Sequence, residues 1–162
     1  VAKRIAAAVA TTSLAGALGL AGAAPALAAS RAAAPAPLSF TIDFTKKTSI
    51  PQVPNLGGGF AGNGPVVDAS GMQIGKAYDT CGIDDVESLT KLDVNCGAYV
   101  IFTNGDQLNL NTQALIDVNP LDYPYKFKAV VVGGTGTYVG AQGEATVTAQ
   151  KPGVYNVDVV FK

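Results

Sequence analysis

The chain has 162 residues, with 11 basic, 12 acidic and no histidine, for a formal charge of −1. That balance lacks the basic stripe a nucleic-acid partner would require. The missing histidines exclude Ser-His-Asp and Cys-His catalysis, and two cysteines alone leave too few ligands for a zinc site, so neither metal nor other cofactor is expected.

At the N-terminus, Lys3 and Arg4 precede an apolar run of Ala, Leu, Val and Gly. Pro25 and the small-x-small step Ala26-Leu27-Ala28 follow. This is the layout of a secretory signal peptide over residues 1–28, without a twin arginine. A retained membrane anchor is the competing reading, because the run is nearly long enough to span a bilayer. Thr11, Thr12 and Ser13 weaken that reading, and the cleavage pattern favours export. The mature protein is then secreted and free of the membrane. Residues 29–38, rich in Ala with Pro35 and Pro37, read as a linker. Residues 39–162 suit one domain with one core. Removing Lys3 and Arg4 leaves nine basic against twelve acidic residues, a charge near minus three.

The domain reads as β throughout, with turn residues every eight to twelve positions and no sustained helical stripe. Residues 39–45 alternate, with Phe40, Ile42 and Phe44 on one face. Residues 46–55 are a loop with Pro51 and Pro54, and a strand over 60–67 follows three glycines. Asp68-Ala69-Ser70-Gly71 is a turn, and 72–83 is the return strand. Residues 84–93 read as an acidic loop (Asp84, Asp85, Glu87, Asp93). It lacks the spacing and central glycine of an EF-hand, so a solvated connection is preferred to a calcium site. Residues 94–103 form an apolar strand, Asn104-Gly105 is a hairpin turn, and 107–113 alternate again. A loop then leads to a strand over 125–132, a glycine corner, and strands over 143–149 and 154–161.

Eight strands joined mainly by short turns would close naturally as an all-β, antiparallel, up-and-down, calycin-like barrel, which leaves no unpaired edges. A two-layer sandwich would satisfy the same periodicity. The facing of each strand is open, because a one-residue shift inverts it. With Leu108, Leu110, Val157, Val159 and Phe161 inward the lumen is apolar, and this is the preferred reading. With Asn109, Asn111, Asn156 and Asp158 inward it is polar. Cys81 and Cys96, in an exported chain, are expected to form a disulfide rather than a reactive thiol or a metal pair.

Residues 130–143 (Val-Val-Val-Gly-Gly-Thr-Gly-Thr-Tyr-Val-Gly-Ala-Gln-Gly) superficially suggest a dinucleotide loop. That fingerprint needs a helix to begin at the glycines, and here a Thr/Val strand follows instead. The pattern Gly133, Gly134, Gly136, Tyr138, Gly140, Gly143 resembles the signature of the allene oxide cyclase/dirigent barrel superfamily. The hairpin over 59–75 leading to Cys81, and the Asn104-Gly105 hairpin, are similar to that family's in order and spacing. Gln142 stands where many plant dirigents carry Arg. The first strand does not reproduce the glutamate and asparagine of plant cyclases, Asp43 being the nearest acid.

The resemblance implies a small secreted barrel that holds an apolar molecule, as a cofactor-free cyclase or isomerase or a stereochemical guide. A non-catalytic ligand-binding barrel and a structural barrel filled with side chains are the alternatives. It also implies trimers that bury an apolar outer face. With histidine and thiol chemistry gone, carboxylates, tyrosines and lysines remain. Asp43, Asp79, Tyr99 and Glu144 are the candidate pocket-lining residues, since a carboxyl in an apolar lumen could move a proton near neutral pH. The competing expectation for each acid is a solvated place outside the barrel.

Overall fold

The computed structural model describes residues 34–49 and 51–162. The expected signal peptide and residues 29–33 of the expected linker lie outside the described residues. Eight strands follow in order: β1 (Leu38–Asp43), β2 (Gly59–Val67), β3 (Gln73–Val86), β4 (Lys91–Phe102), β5 (Gln107–Asp117), β6 (Tyr125–Gly134), β7 (Gly143–Lys151) and β8 (Val154–Phe161). Each pairs antiparallel with its sequence neighbour, and β1 pairs with β8, so the sheet closes into a barrel. This is the expected all-β up-and-down architecture, not a sandwich. No helix among the described residues is long and apolar enough to cross a membrane.

Alternation along the strands builds the core. Phe40, Ile42, Ala77, Leu108, Leu110, Val157, Val159 and Phe161 are all buried, so the lumen is apolar. Each of the larger side chains, alanine aside, contributes about 1.5–3 kcal/mol of burial. The intervening residues form polar pairs on the outer surface. Ser39 Oγ donates to Asp158 at 2.7 Å and Thr41 Oγ1 to Asn156 at 2.9 Å, each pair directly opposite across β1 and β8.

The segment expected as an acidic loop is mostly strand. β3 continues to Val86 and β4 begins at Lys91. A bulge between Ile83 and Asp85 absorbs Asp84, whose carboxylate accepts a bond from Asn95 Nδ2 at 2.6 Å. The local charge density hid a continued ladder. β5 likewise runs past the expected Gln113 to Asp117. There the alternation is masked because Leu115 faces out and Ile116 in, two adjacent apolar residues on opposite faces.

The two ends of the barrel differ. At one end the glycine corner folds back over the lumen, with Tyr138 packed between Phe161 (ring centroids 5.7 Å apart) and Phe102 (5.4 Å). Gly136 sits at φ 57° and any Cβ there would collide with the Asp106 carboxylate, so only glycine fits. Asp106 in turn accepts the Thr137 N–H at 3.2 Å. Gly133 and Gly134 end β6 and Gly143 begins β7, with Gly140 in the turn between. The opposite end, ringed by Phe44, Phe60, Ile116, Tyr125 and Tyr155, is open.

The wall is also uneven. β5 pairs with β4 down to Asp117 opposite Lys91, and β6 pairs with β7 from Tyr125 onward. Between themselves, β5 and β6 pair only from Leu108 opposite Gly134 to Asn111 opposite Val130, with a register shift between Asn109 and Leu110. Residues 112–117 and 125–129 thus face one another without ladder pairing. Side chains span the gap instead. Thr112 Oγ1 donates to Lys128 O at 2.5 Å, Tyr123 Oη donates to Asp117 O at 2.6 Å, and Asp117 N–H donates to Tyr125 Oη at 3.2 Å.

Candidate ligand-binding site

Inside the barrel lies an apolar cavity of about 80 Å³, bordered by Ile42, Leu110, Phe127, Val147 and Val157 among others. At the open end a basin of about 220 Å³ adjoins it. The two share Phe44, Phe60, Asp79, Ile116 and Tyr155, which therefore form the throat between them. Aromatic rings run along one side of the mouth in sequence: Tyr123 to Tyr125 (5.0 Å between centroids), Tyr125 to Phe127 (6.3 Å), Phe127 to Tyr155 (6.4 Å) and Tyr155 to Phe44 (6.0 Å).

Asp79 is the acid in this throat. It lies on β3 at the same parity as Ala77 and Cys81, so strand geometry turns it inward. It is opposite Gly62 of β2, where a Cβ would come within 2.7 Å of Asp79 Oδ1. The missing side chain at Gly62 is what makes room for the carboxyl. Oδ1 is shut off from solvent without a hydrogen-bond partner. Burial pushes the Asp79 carboxyl above its ordinary range. The nearby backbone N–H groups of Gly62 and Asp79 pull it back only partway. Tyr155 shares the throat, and burial, then Tyr125 and Asp79, hold its phenol protonated well above the usual tyrosine range. Tyr125 and Tyr123 at the rim are shifted upward too, burial again being the largest cause.

The other three sequence candidates do not join Asp79. Asp43 ends β1 on the outer surface. Its carboxylate is held by the Thr45 hydroxyl (2.5 Å) and N–H (2.9 Å), which lower its pKa. Tyr99 is 42% exposed on the outside of β4, with its ring 6.5 Å from that of Tyr78. Glu144 is on the outside of β7, where Lys128 Nζ at 2.6 Å lowers its pKa. All three sit at the parity opposite to the buried residues of their strands, and strand register decides the matter. Tyr155, Tyr125 and Tyr123 line the mouth, and the sequence reading did not choose them as pocket-lining residues. The signal was present: Tyr155 shares the parity of Val157, Val159 and Phe161, and Tyr125 that of Phe127, Ala129 and Val131.

Cys81 and Cys96 are joined by a disulfide, directly opposite one another on β3 and β4, and both border the inner cavity. Among the described residues, no group of three or more Cys, Asp or Glu side chains converges as a metal site would require.

No protein-family model matches this chain, and no curated protein matches its sequence. Solved structures do. The chain is similar to a pyocyanin demethylase, with a TM-score of 0.62 and 14% identity over 78% of this chain and 100% of that one. It is also similar to a pterocarpan synthase dirigent protein, with a TM-score of 0.58 and 15% identity over 76% of this chain and 82% of that one. At such identities the likeness is one of fold. What the chain shares with the dirigent protein is the closed eight-stranded antiparallel barrel, the fold that the glycine pattern implied.

Proposed function

We propose that this barrel binds a small, mostly apolar, ring-bearing molecule at its open mouth, with an acceptor oxygen of that molecule turned onto Asp79 and Tyr155. The observation that carries the reading is the buried Asp79 oxygen that lacks a partner, in the throat between the two cavities. An unsatisfied buried acceptor is unfavourable unless something else completes it. Burial favours the neutral form of the Asp79 carboxyl, and in that form it is a hydrogen-bond donor, as is the protonated Tyr155 phenol. Two donors aimed at one oxygen would polarise a carbonyl or quinone-like group and hold it in a single orientation. The aromatic rim suits the flat face of a ring.

Size constrains the pose. The inner cavity is too small to enclose a whole ligand of ordinary dimensions, which would fill roughly 300 Å³ or more. The ring end enters through the throat and the remainder lies outside the inner cavity. Such a site could guide stereochemistry by orientation and exclusion of water alone. An isomerase or cyclase role would add proton transfer through Asp79. A carrier would use the same pocket without that step. The disulfide supports work in an oxidising, extracytoplasmic setting.

Calorimetric titration with acetophenone and ethylbenzene at pH 4 tests the reading. The two share an aromatic ring, and acetophenone adds a carbonyl acceptor. Wild type is expected to bind acetophenone about tenfold more tightly, the equivalent of one good hydrogen bond in a dry site. Asp79→Ala should erase the difference and Asp79→Asn, which still offers a donor, should keep most of it. Equal preference in wild type and Asp79→Ala, or no binding of either compound, overturns the proposal.

A further inference from the structure

The unpaired stretch between β5 and β6 lies between two spaces. On its inner side is the apolar cavity of about 80 Å³. On its outer side is a groove of about 370 Å³. Cys96, Asn111, Thr112 and Ala129 border both. Asn111 is the telling member. By strand alternation it belongs to the outer surface, beyond the buried Leu110, yet it also borders the interior. In a fully laddered wall an outward side chain is screened from the lumen by the sheet itself. Here the ladder ends at Asn111 opposite Val130, and the screen ends with it.

The groove has its own chemistry. Asn95, Asn111, Thr112, Gln113, Lys128 and Glu144 supply its polar lining. Lys128 and Glu144 neutralise one another at 2.6 Å, and Lys128 also donates to Thr146 Oγ1 at 2.9 Å. Among the described residues no side-chain hydrogen bond engages the amides of Asn111 or Gln113, so each offers both a donor and an acceptor. Gly97 adds no bulk. A Cβ there would meet only Asn111 Oδ1, at an unstrained 3.6 Å.

From this we infer that the β5–β6 gap, once the Thr112 Oγ1 bond to Lys128 O that spans it opens, is a lateral portal, through which a ligand with its apolar ring in the lumen projects an uncharged, hydroxyl-bearing end into the outer groove. The inference rests on the proposed lumen reading and deepens it by naming the ligand class: an amphiphile such as an aryl polyol or glycoside. Charge selects the end group. With Lys128 and Glu144 already paired, an anionic or cationic end would have to break that pair, whereas hydroxyls match free amides that donate and accept.

The probes are ethylbenzene, an apolar ring alone, and phenyl β-D-glucopyranoside, a ring with a polyhydroxyl end. Both are titrated calorimetrically into wild type, Gly97→Trp and the double variant Asn111→Ala/Gln113→Ala. Wild type should bind the glucoside about tenfold more tightly than ethylbenzene, the return from one or two added hydrogen bonds. Gly97→Trp fills the groove from outside and should cut that advantage to within about twofold, leaving ethylbenzene affinity unchanged. The double variant alters only exposed side chains and should do the same, so the test survives if the tryptophan variant misfolds.

If the glucoside has no advantage in wild type, or keeps it in a folded Gly97→Trp and in the double variant, the portal is overturned while the lumen reading stands. If neither ethylbenzene nor the glucoside binds wild type, the portal is overturned, and the lumen reading falls with it only if acetophenone also fails to bind. Sedimentation at the same concentrations gives a further check. A wild-type oligomer that Gly97→Trp dissociates would assign the groove to a second copy of the chain and also overturn the portal.

Discussion

Asp79 stands among Ala77, Cys81 and the bare backbone of Gly62, where a neutral residue would be expected. Its consequences for stability and for binding have opposite signs. Burial raises its folded-state pKa above the ordinary 3.8. Its favourable contribution is therefore complete below the unfolded pKa and is lost as pH rises through the folded value. Above that point the fold carries an ionised carboxylate with one closed-off oxygen. Asp79→Asn removes the charge at nearly constant volume. It should raise the unfolding free energy at pH 7 by on the order of 1 kcal/mol, an effect that fades toward pH 3, in urea titrations at the two pH values. A stability change independent of pH would show that ionisation of Asp79 is not what the site tolerates. Legibility at this scale was partial. An acid at the parity of small apolar residues was readable once register was known. Asp43 and Glu144 look equally acidic as letters and differ only in the face they occupy, and facing is a property of the closed sheet.

The strands themselves were largely legible, because alternation is local. Phe40-Thr41-Ile42 and Gln107-Leu108-Asn109-Leu110 announce both their existence and their inner faces. The errors came where side-chain chemistry interrupted the pattern. Asp84 and Asp85 look like loop, yet one bulge lets β3 carry them to Val86. Cys81 and Cys96 lie on this same long hairpin, separated by 15 positions and paired directly across the ladder. Their bond closes a short loop in the unfolded chain, and replacing both with alanine should lower the unfolding free energy by about 3 kcal/mol in denaturant titrations under non-reducing conditions. A loss well below about 1 kcal/mol would mean that the hairpin persists in the unfolded ensemble and that the crosslink restrains little. The gap between β5 and β6 had no sequence signal of its own. It follows the register shift near Leu110, which exists only between the paired strands.

At the scale of the molecule, closure followed from the count of strands and the brevity of their turns, since a meander this long would otherwise leave two open edges. Which end stays open did not follow. The glycine corner was visible as a motif, but its role in lowering Tyr138 onto Phe161 and Phe102 depends on the finished barrel. This division of labour is testable. Tyr138→Ala removes a partly buried plug far from the mouth, so it should destabilise the fold by about 1–2 kcal/mol, below the range for a fully buried aromatic, while leaving ethylbenzene affinity unchanged in calorimetry. Loss of affinity in a folded variant would mean that ligands reach the lumen from the glycine end. The pairing of β1 has one more implication. It aligns with β8 over six residues, Leu38 opposite Val159 through Asp43 opposite Val154, but with β2 over only two. Topologically, β8 and β1 are already a hairpin lacking its bend. A few residues bridging Phe161 to Leu38, with new ends cut before Gly59, would give a circular permutant whose wall runs in the same cyclic order. The order of strands around the cylinder, rather than the place where the polypeptide starts, is the invariant of this architecture.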